Sequence, residues 1–433
     1  MIAWRPLGNV QPEAVRETIF LVTRIAENAL GLYLSIPFCR SKCTYCNFAS
    51  GVYPASQHEQ YVDRLVEDLR GAAEWAAGIG VELPRRVDTV YLGGGTPSLL
   101  APDLVTRLFA ALRAHFDLDA DAEITMECAP GQLADATLEA MAAAGVNRVS
   151  LGVQSFVDRE AHESGRLHSR LIIEQDLRRL RQAGIANLNI DLIAGLAGQT
   201  FESWEQSLSA LVESAVPHAS IYMLEVDEDS RLGRELLAGG ARYHAGLVPT
   251  DDAIAQMYER AIERLSEAGL DQYEISNLGA AAFRSRHNLR YWQRRAYLGV
   301  GLDASSALHS IQDAGPRYLL RANATDDLAS YLTGPQSCET AWLSPARQHE
   351  EAWFLGLRLN AGVDVAALQD EFGHALVEPA LDIADRLAAD GLLTFDGATV
   401  RLTAQGRLLS NNVFQEFLGL EPARAASSPG DSA

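Results

Sequence analysis

The feature that most restricts how this chain can fold is an alternation of short apolar runs and longer amphipathic stretches between residues 30 and 230. The apolar runs end at glycine, proline or a polar residue, which is typical of strands. They cover residues 30–36, 87–92, 122–127, 148–154, 187–193 and 219–225. The intervening stretches have helical periodicity, clearest over residues 102–115, 135–144, 174–183 and 202–214. Since strands that alternate with helices pair in parallel, the pattern predicts an α/β fold.

Two architectures share this alternation, a barrel and a doubly wound sheet, and periodicity alone leaves both open. The ends of the runs favour the barrel. Nearly every run stops at glycine or at a polar side chain that is costly to bury, and the functional groups of βα barrels lie at the carboxyl ends of their strands. Six units therefore predict a partial (βα)6 TIM-type barrel over residues 30–230.

Four further segments flank this predicted barrel. They are an N-terminal extension (1–29), a helical and aromatic-rich connecting region (231–340), a C-terminal domain (341–422) and a disordered tail (423–433). The extension contains a short predicted helix over residues 12–28. The C-terminal domain combines helices with two short strands, at 392–395 and 399–402, which predicts a helical, winged-helix-like module.

The overall charge limits the partners that the chain can have. Lys and Arg number 36 against 57 Asp and Glu, a net charge of −21 over 433 residues. Such a surface argues against nucleic acid as a partner, even for a winged-helix-like module. No uncharged apolar run reaches the roughly 20 residues that a bilayer helix needs, and residues 1–11 lack a signal-peptide pattern. We therefore expect a cytoplasmic protein.

Three cysteines, Cys39, Cys43 and Cys46, follow the first predicted strand within eight residues. In a reducing compartment, clustered thiols indicate metal ligands or a catalytic site. Zinc is the competing metal, but structural zinc normally takes four protein ligands, and no fourth Cys or His follows at the usual spacing. Three thiolates on one loop suit a [4Fe–4S] cluster with one iron left open for another ligand.

The spacing of these cysteines, with aromatic Tyr45 before the third, resembles the radical S-adenosylmethionine (SAM) superfamily. The resemblance implies that the amino and carboxylate groups of SAM chelate the open iron. It also implies that an electron from the reduced cluster cleaves an S–C bond of SAM and yields a 5′-deoxyadenosyl radical.

A finer resemblance is to the oxygen-independent coproporphyrinogen III oxidase-like (HemN-like) branch. It is carried by the strings YLSIPFC from Tyr33, GGGTP from Gly93, GVQSF from Gly152, GRLH from Gly165 and DLIAG from Asp191. The similarity implies a set of SAM-site residues at or near the strand ends. The set is Tyr33, Tyr45, Gly94, Gly95, Thr96, Glu127, Gln154, Arg166 and Asp191.

Two kinds of member of this branch differ at one position. The oxidase carries a further cysteine two residues after the third, where this chain has Phe48. HemW-type haem chaperones lack that cysteine and carry a segment like His287-Asn-Leu-Arg-Tyr291-Trp292, which in that group is associated with haem binding. The resemblance thus implies His287 as a haem-site residue. A core histidine with aromatic neighbours is the alternative for the same residues.

The resemblance as a whole implies a chaperone that binds haem and delivers it to haem-accepting respiratory proteins, with flavodoxin or ferredoxin as the electron donor. Membrane-associated partners and a homodimer stay open. The alternative is an enzyme, either an oxygen-independent coproporphyrinogen III oxidase or a HemN-like methyltransferase. Ser35 and Ala197 depart from the residues common in the branch, which bears on substrate geometry more than on cluster binding.

Overall fold

The computed structural model of the chain describes residues 28–311, 317–334 and 338–420. Most of the helix predicted over residues 12–28, and the disorder predicted for 423–433, lie outside these ranges. None of the described helices is long and apolar enough to cross a bilayer.

Six strands form the centre of the structure, close to the predicted runs. They are β1 (Leu30–Ile36), β2 (Arg86–Gly94), β3 (Asp117–Cys128), β4 (Arg148–Gln154), β5 (Asn187–Ala194) and β6 (His218–Met223). Each is parallel to the next, and their order in the sheet is their order in the chain. A doubly wound sheet would reverse its order part-way across. The predicted α/β fold with a partial barrel is confirmed.

Helices connect these strands and cover the sheet. They are α1 (Ala55–Ile79), α2 (Pro102–His115), α3 (Asp135–Ala143), α4 (Asp158–Glu163), α5 (Arg170–Gln182) and α6 (Phe201–Ser214). In α1 the apolar positions Tyr61, Leu65 and Leu69 recur at helical spacing and are buried. This spacing gives the helix one apolar face, which packs into the main core.

The connecting region extends the sheet at both edges, which its aromatic-rich composition did not predict. Its elements are α7 (Arg231–Leu237), α8 (Asp251–Glu267), β7 (Asp271–Gln272), β8 (Asn277–Gly279), α9 (Arg286–Trp292), β9 (Tyr297–Val300), β10 (Ser305–His309), β11 (Leu319–Ala324), α10 (Leu328–Thr333) and β12 (Cys338–Leu343). The strands β8 and β7 continue the sheet from β6. On the other side β9 pairs in parallel with β1, and β10 to β12 follow it. These strands have six residues or fewer, too short for a clear periodicity.

The last part of the chain has its own apolar core. Its elements are α11 (Pro345–Leu357), β13 (Val363–Asp364), α12 (Val365–Phe372), α13 (His374–Ala389), β14 (Leu393–Phe395), β15 (Thr399–Leu402), α14 (Ala404–Leu408) and α15 (Ser410–Glu416). The two predicted short strands are present as the antiparallel pair β14 and β15. Trp353 is fully buried and stacks on Phe417, with ring centroids 4.9 Å apart. The domain limits at residues 230, 340 and 422 stay predictions.

Candidate functional site

The loop between β1 and α1 carries the three cysteines and folds back on itself. The Cys39 amide donates to the Gly51 carbonyl at 2.8 Å, and the Gly51 amide donates to the Pro37 carbonyl at 2.9 Å. No disulfide joins the cysteines of the described residues, so all three are free thiols. The cysteines line one cavity of about 350 Å³ at the carboxyl ends of the strands. We call it the cluster cavity.

Each of the three sulfurs faces a hydrogen-bonding group of another residue. Thr96 Oγ1 lies 3.9 Å from Cys39 Sγ, Arg166 Nη1 lies 3.6 Å from Cys43 Sγ, and Ser50 Oγ lies 4.0 Å from Cys46 Sγ. Hydrogen bonds to cysteine sulfur stabilise thiolate and tune iron–sulfur clusters.

The number of cysteines bears on which metal group they could hold. Structural zinc normally takes four protein ligands, whereas three thiolates leave one iron of a [4Fe–4S] cluster open for another ligand. The three cysteines that line this cavity therefore fit such a cluster.

The glycine run at the end of β2 braces this loop. The Gly95 amide donates to the Ile36 carbonyl at 2.9 Å, and the Thr96 amide donates to the Phe38 carbonyl at 2.7 Å. A Cβ at Gly95 would lie 2.8 Å from both of those carbonyl oxygens, so only glycine allows this approach. Gly94 has a φ of 97°, which also favours glycine. The run thus fixes the cysteine loop against the sheet.

Two carboxylates face the cluster cavity from the ends of β3 and β5. Burial, with a smaller contribution from the nearby charge of Asp191, raises the pKa of Glu127 to about 7, while a 2.8 Å hydrogen bond from the Tyr91 hydroxyl opposes the shift. Burial also raises the pKa of Asp191, against hydrogen bonds that include 2.7 Å from Asn189 Nδ2 and 3.0 Å from Ser150 Oγ. Acidic groups held in a half-enclosed cavity suit a cationic ligand.

Gln154 and Arg166 complete the polar wall of the cavity. Gln154 has a φ of 70°, uncommon for a residue with a side chain, and its buried Oε1 has no hydrogen-bond partner. Strained backbone and an unpaired buried acceptor at the end of a strand are features of binding sites. The Arg166 guanidinium donates to the Gly152 carbonyl as well as to Cys43. Burial, followed by the charge of Cys43, raises the pKa of Tyr45 well above its usual range.

The structure brings most of the sequence-predicted site residues to this one cavity. They are Cys39, Cys43, Tyr45, Cys46, Gly94, Gly95, Thr96, Glu127, Gln154, Arg166 and Asp191. Ser150, Ile193 and Tyr222 also line it and were not predicted. They lie on β4, β5 and β6, but nothing in their residue type separates them from ordinary strand positions. Tyr33 and His287 do not line the cluster cavity.

Tyr33 lies instead in a second cavity of about 350 Å³, which we call the aromatic cavity. It is lined by Tyr33, Tyr291, Trp292, Tyr297, Asp303, Ser305, Arg321 and Leu355. These residues come from β1, from α9, from the strands that follow it and the turn between β9 and β10, and from α11. The indole Nε1 of Trp292 is buried without a hydrogen-bond partner, and the Arg358 guanidinium lies 4.2 Å from its ring centroid.

His287 lies beside the aromatic cavity but is fully buried behind it. Its Nδ1 is 3.0 Å from Thr89 Oγ1 and its Nε2 is 2.8 Å from the Tyr291 hydroxyl. Both ring nitrogens therefore have hydrogen-bond partners in the protein. This arrangement agrees with the alternative of a core histidine with aromatic neighbours, and His287 as a haem-site residue stays a prediction.

Comparison with known proteins shows which families the chain matches. Residues 33–211 match the radical SAM superfamily, and residues 343–409 match the HemN C-terminal domain. The solved structure of coproporphyrinogen III oxidase (HemN) from Escherichia coli superposes with a TM-score of 0.76 over 93% of both chains, at 24% identity. At that identity the likeness concerns the fold alone.

Curated relatives match at higher identity and over nearly their whole length. The heme chaperone HemW of Lactococcus lactis is 33% identical over 89% of this chain and 96% of its own. The proteins of the same name from Mycobacterium tuberculosis and Bacillus subtilis are 33% and 31% identical and are covered over 95% and 98% of their lengths.

Proposed function

Because the chain belongs to the HemW family of radical SAM proteins, we propose that it binds a [4Fe–4S] cluster, SAM and haem, and that it passes the haem to haem-requiring proteins. The observation that carries the cofactor part is the cluster cavity, where three free cysteines meet the strand-end residues. The names of the relatives support the haem part.

In this proposal Cys39, Cys43 and Cys46 hold the cluster, which when reduced supplies one electron to SAM. The chain's own residues bind and orient SAM. Glu127 and Asp191 offer negative charge to its cationic groups. The unpaired Oε1 of Gln154 offers an acceptor.

Haem is proposed to pack in the aromatic cavity, where Tyr291 and Trp292 present rings to a flat apolar macrocycle. No histidine lines this cavity within the described part of the chain. The Arg358 guanidinium over Trp292 fixes the indole and comes from the C-terminal part of the chain. That part would then help to hold the cargo.

The partners and location belong to the same proposal. Haem-accepting respiratory proteins, some of them membrane-associated, would receive the cargo in the cytoplasm, and flavodoxin or ferredoxin would reduce the cluster. Exposed Phe48, with 64% of its surface accessible, stands at the mouth of the cluster cavity where the oxidase would have a cysteine. This replacement favours the chaperone over coproporphyrinogen oxidation.

The test is anaerobic purification with measurement of iron, acid-labile sulfide and zinc, followed by titration with haem. We expect about four irons per chain and saturable haem uptake. Cys43→Ala should lose the iron, whereas Cys338→Ala, a cysteine on β12 outside the loop, should keep it. A protein that holds zinc, or no metal, contradicts the cluster; a protein that takes up no haem contradicts the chaperone role.

A further inference from the structure

Three aromatic side chains connect the residues of the two cavities. Tyr33 of β1 lines the aromatic cavity, and its ring lies 6.0 Å from that of Tyr91 on β2, the residue opposite it in the sheet. The imidazole of His287 stacks on Tyr91 with ring centroids 5.2 Å apart and lies 6.5 Å from Tyr33. We call these three residues the ring wall.

The ring wall contacts a polar group of each cavity. On one side the Tyr91 hydroxyl donates to Glu127 Oε1 at 2.8 Å, and Glu127 lines the cluster cavity. On the other side His287 Nε2 shares a 2.8 Å hydrogen bond with the hydroxyl of Tyr291, which lines the aromatic cavity. A continuous path of contacts therefore runs from Glu127 through Tyr91 and His287 to Tyr291.

The surroundings of His287 hold its ring in one orientation. Its backbone amide donates to Glu123 Oε1 at 3.0 Å, and its Nδ1 lies 3.0 Å from Thr89 Oγ1. Burial, and then the charge of Arg290, lower the pKa of His287 to about 3, so the ring is neutral. A neutral imidazole would also suit a metal ligand, so the charge of the ring does not distinguish the two roles. The contacts of the ring do distinguish them, because binding iron through either ring nitrogen would break a buried hydrogen bond and leave its partner unpaired.

We infer that His287 is a positioning residue and not a ligand of haem iron: it holds Tyr91 against Glu127 on one side and Tyr291 at the aromatic cavity on the other. The inference rests on the proposed function in so far as SAM and haem occupy the two cavities. It adds that a single buried side chain supports both binding sites.

The test compares His287→Ala with His287→Gln, whose amide can still meet Thr89 and Tyr291. SAM affinity is measured on cluster-loaded protein by anaerobic equilibrium dialysis, and haem affinity by visible absorbance. His287→Ala should weaken both affinities about three- to tenfold, the range of one hydrogen bond. His287→Gln should stay within about twofold of the parent for both and keep its haem spectrum. His115→Ala, at the far end of α2, is the matched control and should change neither.

A ligand role gives the opposite pattern. His287→Gln would then shift the haem spectrum as much as His287→Ala does, and both variants would keep the parent's SAM affinity. That result overturns the inference and leaves the proposed function standing. If the parent chain binds neither SAM nor haem, the proposed function fails and the inference fails with it.

Tyr91→Phe provides a second variant that keeps the ring and so preserves packing. It removes only the hydroxyl that meets Glu127, and we expect weaker SAM binding with unchanged haem binding. Unchanged SAM affinity in this variant would show that the ring wall does not support the cluster cavity.

Discussion

The cluster cavity and the aromatic cavity are similar in volume and differ in how the chain builds them. The first is assembled from strand ends and the loop after β1, all within residues 39–225. The second takes one residue from β1, several from residues 291–321, and Leu355 from α11. A site built from strand ends depends on the barrel alone, whereas the aromatic cavity also depends on the packing of the C-terminal part.

The largest effect should come from the C-terminal core. Trp353→Ala removes a fully buried indole that stacks on Phe417, which should cost about 3–5 kcal/mol of unfolding free energy in that part. Because Leu355 and Arg358 follow on the same stretch of chain, haem binding should fall sharply while iron content stays at the parent level. Leu418→Ala, which truncates an exposed leucine, is the control for thermal unfolding and haem titration. Equal loss of iron and haem would mean that the two cavities do not depend on separate parts.

Gly95→Ala tests whether the cluster cavity can be damaged while the aromatic cavity stays intact. Its Cβ would meet the backbone oxygens of Ile36 and Phe38 at 2.8 Å, where the cysteine loop begins, a clash that should cost about 1–3 kcal/mol and displace the loop. Iron content after anaerobic reconstitution should drop severalfold, with haem affinity nearly unchanged. Gly71→Ala lies on α1 with open space around it and should stabilise the chain by about 0.5–1 kcal/mol. Full iron content in Gly95→Ala would contradict the bracing role.

Trp292→Ala examines the aromatic cavity directly. The loss of the indole face should weaken haem binding about tenfold, close to 1.4 kcal/mol, without altering SAM affinity. Trp342→Ala removes a tryptophan from β12 that is 47% exposed and outside the cavity, and it should bind haem like the parent. If both variants bind haem equally well, the cargo lies elsewhere.

The smallest effect is a pH dependence of SAM affinity, which we expect for the acidic cluster cavity and not for the aromatic cavity. Since burial raises the pKa of Glu127 to about 7, this carboxyl takes up a proton as pH falls through 7 and stops attracting a cation. SAM affinity should therefore decline a fewfold from pH 8 to pH 6, and Glu127→Gln should flatten that change. Haem affinity should not follow the same curve. Glu139→Gln, on the exposed side of α3, should keep the parent's profile.

The raised pKa of Glu127 affects the folding stability of the ligand-free chain in the opposite direction, since stability should increase as pH falls. A carboxyl whose pKa is raised on folding favours the folded state when protonated. Stability from this group is therefore present below about pH 4.5 and is lost as pH rises towards 7. Replacement by glutamine should remove this slope from thermal unfolding curves.

The parts of the molecule that could be predicted are those built from short local motifs. Residue type and position identify the cysteine loop, the glycine run and the residues at strand ends in the sequence. The barrel and most of the lining of the cluster cavity could therefore be predicted. The aromatic cavity could not, because its members meet only through strands of six residues or fewer and the packing of α11. His287 shows the limit most clearly: the resemblance implied a haem-site residue, but its ring contacts Thr89, 198 positions away in the chain, which no local pattern indicates.

The pairing of β9 with β1 has a consequence for biosynthesis. Gly31 lies opposite Tyr297, so one edge of β1 stays unpaired until the ribosome has added β9, 266 residues later. At roughly 5–20 residues per second this delay lasts on the order of tens of seconds. An unpaired strand edge is a template for aggregation during that time, so the nascent chain is vulnerable until translation passes Val300.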